Sequence, residues 1–309
     1  MSWEQIIGHE ALKRVLEHAL ARPAPGYVFC GPSGIGKTAL ARGFAHALLE
    51  QPAEKSLEIH PDFLLLQREP QAKQIDVESV RHLMSQMYLS PAMGKRRVAL
   101  IQEADLLHAS ASNSLLKAVE EPKVNNVYLF TATSYERMPQ TLRSRLVHFR
   151  LQPRSQKELH DWLIELGAPM DQAKDIANIA GGCPGLAKRM MANQIQWQDR
   201  RKLIEDLLLA CNGKTGARIE ALQNLKKAVE KEDDPIEAWK EYLYMAMRLA
   251  RERIPDAERF AEVAEGLILS WRYVGGPISP EIGLEWTAVR TSIINELRYS
   301  PSFLYPTYL

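Results

Sequence analysis

Gly31-Pro32-Ser33-Gly34-Ile35-Gly36-Lys37-Thr38 is the stretch that decides how this chain is read. It satisfies GxxxxGK[ST] in full. It lies between Tyr27-Val28-Phe29-Cys30, an apolar run that reads as a buried strand, and a helical pattern from Lys37 to Glu50. Glycines let successive backbone N–H groups curl around phosphate oxygens, and the start of the following helix adds the positive end of its dipole. The candidate cradle is therefore Gly31, Pro32, Ser33, Gly34, Ile35, Gly36, Lys37, Thr38 and Ala39. In such a cradle Lys37 reaches the β- and γ-phosphates of a nucleotide, and the Thr38 hydroxyl is the Mg²⁺ ligand. The plain alternative is a glycine-rich turn that holds no nucleotide.

Outward from this loop the first half alternates between two periods. An amphipathic stretch runs from Gly8 to Leu20 and a helical pattern from Val77 to Tyr88. Phe63 to Leu66, Val98 to Ile101, Val127 to Thr131 and Leu146 to Leu151 read as further strands. A helix from about Ser110 to Glu121 stops at Pro122. Continuous apolar strands alternating with helices predict an α/β fold: a parallel sheet covered on both faces. After Gln152-Pro153 the strands cease. Short helices are expected up to residue 197, interrupted at Gly167-Ala168-Pro169 and at Gly181 to Gly185. From about Gln198 the chain is helical throughout, with breaks near Asn212-Gly213, Asp233-Asp234-Pro235, Pro255 and Gly275-Gly276-Pro277.

The 309 residues are too many for one ordinary domain, and 46% hydrophobic with 25% charged excludes a disordered chain. No apolar run approaches the length of a membrane span, and Met1 to Gln5 lacks a secretory pattern, so a cytoplasmic location is expected. Cys30, Cys183 and Cys211 are far apart, which encodes neither a disulfide framework nor a zinc site. The net charge is +1, and Lys plus Arg number 18 against 15 acidic residues in the first 150, which excludes binding to nucleic acid by bulk charge alone. DNA, if met, is met as part of a larger assembly.

A P-loop ATPase also needs a carboxylate at the end of a neighbouring strand, to organise magnesium, and a group that orients water. The candidate strand continues into Gln102-Glu103-Ala104-Asp105. Gln102 occupies the place of the expected aspartate, which argues against hydrolysis by this chain. Glu103 is left to orient water, and Asp105 is expected to cap the next helix. Lys95-Arg96-Arg97 reads as a solvated turn before a strand, and His60, ahead of Pro61, as a loop-shaping residue. The tail Phe303-Leu304-Tyr305-Pro306 reads as intramolecular packing, with a docking peptide as the alternative.

Asn113-Ser114-Leu115-Leu116-Lys117-Ala118-Val119-Glu120-Glu121-Pro122, followed by Thr141-Leu142-Arg143-Ser144-Arg145, resembles the AAA+ subunits of sliding-clamp loaders. Ile6-Ile7-Gly8-His9 resembles the box that walls the adenine in that family, so Ile7 and Gly8 join the nucleotide-binding candidates. His60-Pro61-Asp62-Phe63, Ile75-Asp76-Val77 and Gly182-Cys183-Pro184-Gly185-Leu186-Ala187 resemble boxes of its bacterial members. The resemblance is specific over residues 1–190 and architectural beyond.

It implies three domains: an AAA+ nucleotide domain at 1–153, a small helical lid at 154–197 and an all-α collar for oligomerisation at 198–309. It implies an arginine finger, Arg145, offered in trans to a neighbour's ATP, with Glu103 and Thr133 as further catalytic candidates. An arginine so employed is expected to do nothing for its own chain's fold; the plain alternative is a surface arginine in a salt bridge. The family's lid arginine falls at Gly185, which leaves Lys188 or Arg189 as substitutes. Residues 51–62 contain no cysteine, so the zinc module of bacterial relatives is not expected. ATP or ADP with Mg²⁺ is the implied cofactor, with hydrolysis in doubt. The implied partners are other clamp-loader subunits, the sliding clamp and, through the complex, primer-template DNA. A catalytically competent motor subunit and an unrelated P-loop kinase or transferase are the rival readings.

Overall fold

A computed structural model describes residues 6–52, 54–69, 72–121, 125–210, 215–254 and 257–273. The chain forms two compact units, Met1–Met191 and Ala192–Leu309.

The first unit is built on five parallel strands: β1 Gly26–Cys30, β2 Phe63–Leu66, β3 Arg97–Ile101, β4 Asn126–Ala132 and β5 Val147–Arg150. Their order is β2-β3-β4-β1-β5. The three central strands β3, β4 and β1 are buried along their whole length, as their largely apolar sequences lead one to expect. β5 is an edge strand with mostly exposed residues, although Phe149 stacks on both Tyr27 and Phe29.

Five helices accompany the strands: α1 Glu10–Ala19, α2 Lys37–Leu48, α3 Val77–Met87, α4 Ala109–Glu120 and the short α5 Gln140–Arg143. Asp76 caps α3 by accepting from the Ser79 amide at 2.8 Å. One core cluster joins Val80, Met87 and Leu115 to Ala99, Ile101 and Phe130 of the sheet. Three helices complete the unit: α6 Gln156–Glu165, α7 Met170–Ala180 and α8 Pro184–Ala192. A reciprocal Ser155–Glu158 capping box starts α6.

Strand order corrects one expectation. β3, which carries Gln102 and Glu103 at its end, does not neighbour β1; β4 lies between them. A second correction concerns the basic run. Arg97 is not solvated: it is 5% exposed, opens β3, and donates to the Gln86 carbonyl at 2.6 Å with its Nε 3.5 Å from Asp62. Asp62 is fully buried and accepts from the amides of Ala92, Met93 and Gly94 at 2.6, 2.9 and 3.1 Å. Burial works against its charge, but those three amides and Arg97 hold its carboxyl below the ordinary value. The Asp62 amide in turn donates to His60 Nδ1.

The second unit contains α9 Gln194–Ala210, α10 Thr215–Glu230, α11 Pro235–Arg253 and α12 Ala257–Tyr273. Helix α9 passes through residues 197 and 198 without interruption, so the expected domain boundary there falls inside a helix. Asp234 caps α11 by accepting from the Ile236 and Glu237 amides, with Pro235 in the first turn. Arg200 of α9 pairs with Glu232 and Glu241 at 2.6 and 2.9 Å, and its guanidinium lies over the Tyr242 ring. Among the described residues no helix is long and apolar enough to cross a membrane. Pro122, the breaks at Asn212-Gly213, Pro255 and Gly275 to Pro277, Cys211 and the tail Phe303 to Pro306 lie outside the described residues.

Candidate functional site

Parallel strands bring their C-terminal ends to one edge of the sheet, where open α/β sheets take ligands. β1 delivers the chain to Gly31, whose amide donates to the Ala132 carbonyl at the end of β4. Gly36 then caps α2 in a left-handed conformation, φ 109°, and no side chain caps the first turn. The first-turn amides keep the anion-binding disposition that a helix start provides, and no acidic residue stands among them. Ser33 and Ile35 are buried, while Thr38 and Ala39 are half-buried at the head of α2. Lys37 Nζ donates to the carbonyls of Gly31 and Pro32, both at 2.8 Å, which folds the ammonium over its own loop. This donor set suits the phosphates of a nucleotide.

The side that would organise magnesium is less complete. The Gln102 amide extends the sheet by donating to the Leu66 carbonyl, and its side chain offers no carboxylate. Glu103 sits in a left-handed conformation, φ 53°, with its amide on Thr131 Oγ1. Its Oε2 accepts from Arg68 Nε at 3.0 Å; the Arg68 side chain is wholly buried and that of Glu103 is 24% exposed. Arg68 Nη1 also donates to the carbonyls of Glu69 and Ala72. The carboxylate expected to orient water is therefore held by a cation just beyond the neighbouring strand β2.

Asp105 does not cap the following helix. Its carboxylate accepts from the Thr133 and Ser134 amides, both at 3.2 Å, and ties the turn after β3 to the end of β4. The cap of α4 is His108, whose Nδ1 accepts from the Ser110 amide. Thr133 thus stands at the site by its backbone, between Gly31 and Asp105.

The N-terminal box and the α6–α8 helices meet at Arg154. Its Nη2 lies 3.4 Å from His9 Nδ1 and its amide donates to the Gly182 carbonyl at 2.9 Å. A side chain on Gly8 would run into that guanidinium, so Gly8 lies directly against it, with Ile7 half-buried beside it. His9 is 8% exposed. Burial first, then the Arg154 charge, lowers its pKa to about 4, so the ring is neutral.

Helix α8 closes on the phosphate loop. The Gly185 amide donates to the Gly34 carbonyl at 2.7 Å. Gly34 has φ 73°, and a Cβ there would stand 2.7 Å from the Leu186 nitrogen; a Cβ on Gly185 would stand 2.9 Å from the Gly34 oxygen. Two backbones approach where neither residue can carry a side chain. A lid arginine at position 185 is sterically incompatible with this contact, and Lys188 and Arg189 are exposed.

Arg145 follows α5 on a turn that places it away from the cradle elements in sequence but not free of its own chain. Its Nη1 donates to the Thr141 carbonyl and Ser144 Oγ, and its Nη2 pairs with Glu120 Oε1 at 2.5 Å. That pair is the surface salt bridge which the plainer reading of Arg145 expects.

Sequence reasoning passed over Arg68, Arg154 and Glu120. Arg68 and Glu103 are both two residues beyond the rung that pairs Leu66 with Ile101, a register that neither segment reveals by itself.

Residues 8–155 match the protein family described as DNA polymerase III, delta subunit. The chain is 30% identical over 200 residues to DNA polymerase III subunit delta′ of Pseudomonas aeruginosa, covering 60% of this chain and 61% of that one. It is 27% identical over 179 residues to DNA polymerase III subunit gamma of Buchnera aphidicola subsp. Schizaphis graminum, covering 52% of this chain and 48% of that one. The matched part of the chain thus spans less than two thirds of the length of these relatives. Among solved structures, a DNA polymerase III gamma subunit-related protein of Thermotoga maritima is similar with a TM-score of 0.47 at 16% identity, covering 92% of this chain and 98% of that one.

Proposed function

From the match of residues 8–155 to the DNA polymerase III delta-subunit family and the likeness to DNA polymerase III delta′ and gamma subunits, we infer that this chain is the delta-prime-like member of a DNA polymerase III clamp loader. In this reading it helps to open the sliding clamp and load it on primed DNA, in a hetero-oligomer with other clamp-loader subunits. It meets primer-template DNA through that complex. The residues from 154 to the start of α9 serve as the lid and those from α9 onward as the collar.

The observation that carries the reading is the hold of Arg68 on Glu103, next to Gln102 and an intact phosphate cradle. ATP or ADP binds on the first-turn amides of α2 and Lys37, with Thr38 as the protein's magnesium ligand. Hydrolysis of that nucleotide is negligible, because the charge developing on the phosphates lacks the aspartate that organises the metal and Glu103 is engaged elsewhere. The chain's catalytic contribution is Arg145, presented to the phosphates of a neighbour. An arginine finger raises such rates by about 10³–10⁵.

The test compares ATP hydrolysis by the isolated chain with that of the reconstituted complex. The isolated chain is expected to be idle and the complex active, with Arg145→Ala slowing the complex. Sustained turnover by the isolated chain, lost in Lys37→Ala, would instead make it a motor subunit.

A further inference from the structure

We propose that Glu120 is the resident counter-ion of Arg145, holding the guanidinium on its own chain until the phosphates of a neighbouring nucleotide displace it. The proposal rests on the trans-acting reading of Arg145 and adds a regulatory residue to it.

The turn that bears Arg145 is anchored at its backbone. The Tyr135 hydroxyl donates to the Arg143 carbonyl at 3.3 Å, the Tyr135 ring stacks on His148 with centroids 3.8 Å apart, and the Arg143 guanidinium lies 5.2 Å from the same ring. The Arg145 amide closes the turn on the Leu142 carbonyl. The Arg145 guanidinium reaches out from this anchored turn. There Nη1 serves Thr141 and Ser144, and Nη2 is taken by Glu120 at 2.5 Å. The two side chains are 38% and 41% exposed, so the pair stands at the surface.

Helix stability does not explain an acid at position 120. Glu120 is the last residue of α4, where the helix dipole disfavours anions, and Glu121 follows it. Arg145 offsets that local cost. An exposed pair of this kind is weak, about 0–1 kcal/mol, which suits a restraint that must give way. A polyphosphate offers several anionic oxygens to one guanidinium and replaces a single carboxylate through charge-assisted bonds. Breaking the pair leaves Glu120 without its counter-ion, a cost that exists only while Arg145 is present. It opposes engagement of the finger and sets how much nucleotide the neighbour must hold before the finger is taken.

The test uses the reconstituted complex carrying Glu120→Gln, Arg145→Ala or both, with ATP titrated at low and high salt. Glu120→Gln is expected to lower the apparent KM for ATP by about two- to fivefold, the upper figure being ~1 kcal/mol. That gain should shrink at high salt. In the Arg145→Ala background Glu120→Gln should change nothing, since the cycle isolates their coupling. An effect of Glu120→Gln that is the same in both backgrounds, or no effect while Arg145→Ala slows the complex, would overturn the counter-ion proposal and leave the finger standing. Wild-type rates with Arg145→Ala would overturn the finger reading itself.

Discussion

Arg68 Nε and Glu103 Oε2 meet at 3.0 Å, each two residues beyond a strand whose last residues are paired in register. One buried cation therefore spans the ends of β2 and β3 and fixes the turn that enters the candidate site. Replacing it by Arg68→Met removes the hydrogen bonds to Glu103, Glu69 and Ala72 from a side chain with no solvent access. The loss expected in chemical denaturation is about 2 kcal/mol, below the usual cost of breaking a fully buried pair because Glu103 retains some contact with water. An unchanged midpoint would mean that this pair holds nothing together.

The phosphate loop makes a binding prediction. The isolated chain should bind ATP and ADP in calorimetry, and Lys37→Ala should weaken both by about tenfold or more, the worth of ~1.4 kcal/mol. Absence of heat at millimolar nucleotide would leave the loop a structural turn.

The contact between Gly34 and Gly185 makes a steric one. Gly34→Ala combines a left-handed backbone with a Cβ 2.7 Å from the Leu186 nitrogen. It should cost about 2 kcal/mol or more, read as a lower melting temperature. Gly185→Arg should do the same, and so an attempt to restore the family's lid arginine should destabilise this chain. A melting temperature equal to that of the parent in both variants would contradict the close approach.

His9 makes a pH prediction. Its pKa falls from 6.5 in the unfolded chain to about 4 in the folded one. Between those values the unfolded state binds the proton and the native state does not, so stability declines as pH falls from about 6.5 to 4 and changes no further below. The full span is about 3 kcal/mol. His46 and His148 are shifted the same way by burial, so the His9 share is read as the difference from His9→Gln. A His9→Gln protein with the parent's slope over that window would refute it.

Local pattern carried most of the first unit. Val98 to Ile101 is apolar at every position, and a strand buried on both faces can be read from that alone. The cradle was legible too, because a loop of glycines needs only its own sequence to adopt its shape. What escaped is long-range. The place of β4 between β1 and β3 depends on topology that no segment encodes. Asp105 has the residue type of a helix cap, but the amides of Thr133 and Ser134, just beyond β4, take its carboxylate. Arg97 reads as the end of a charged turn until the buried Asp62, 35 positions earlier, supplies its partner. Gly185 looked like a missing arginine and is instead a point where two backbones touch.

The grip of Asp62 on Ala92, Met93 and Gly94 reaches beyond the geometry of one loop. Amides in exposed loops ordinarily trade their protons for deuterium quickly, because small fluctuations open them. Here three in a row end on a carboxylate with no solvent access, so freeing them means tearing Asp62 and Arg97 out of the unit's interior. Ala92 to Gly94 should therefore exchange at the slow pace of the central strands, and a surface segment becomes a clock for the opening of the whole first unit.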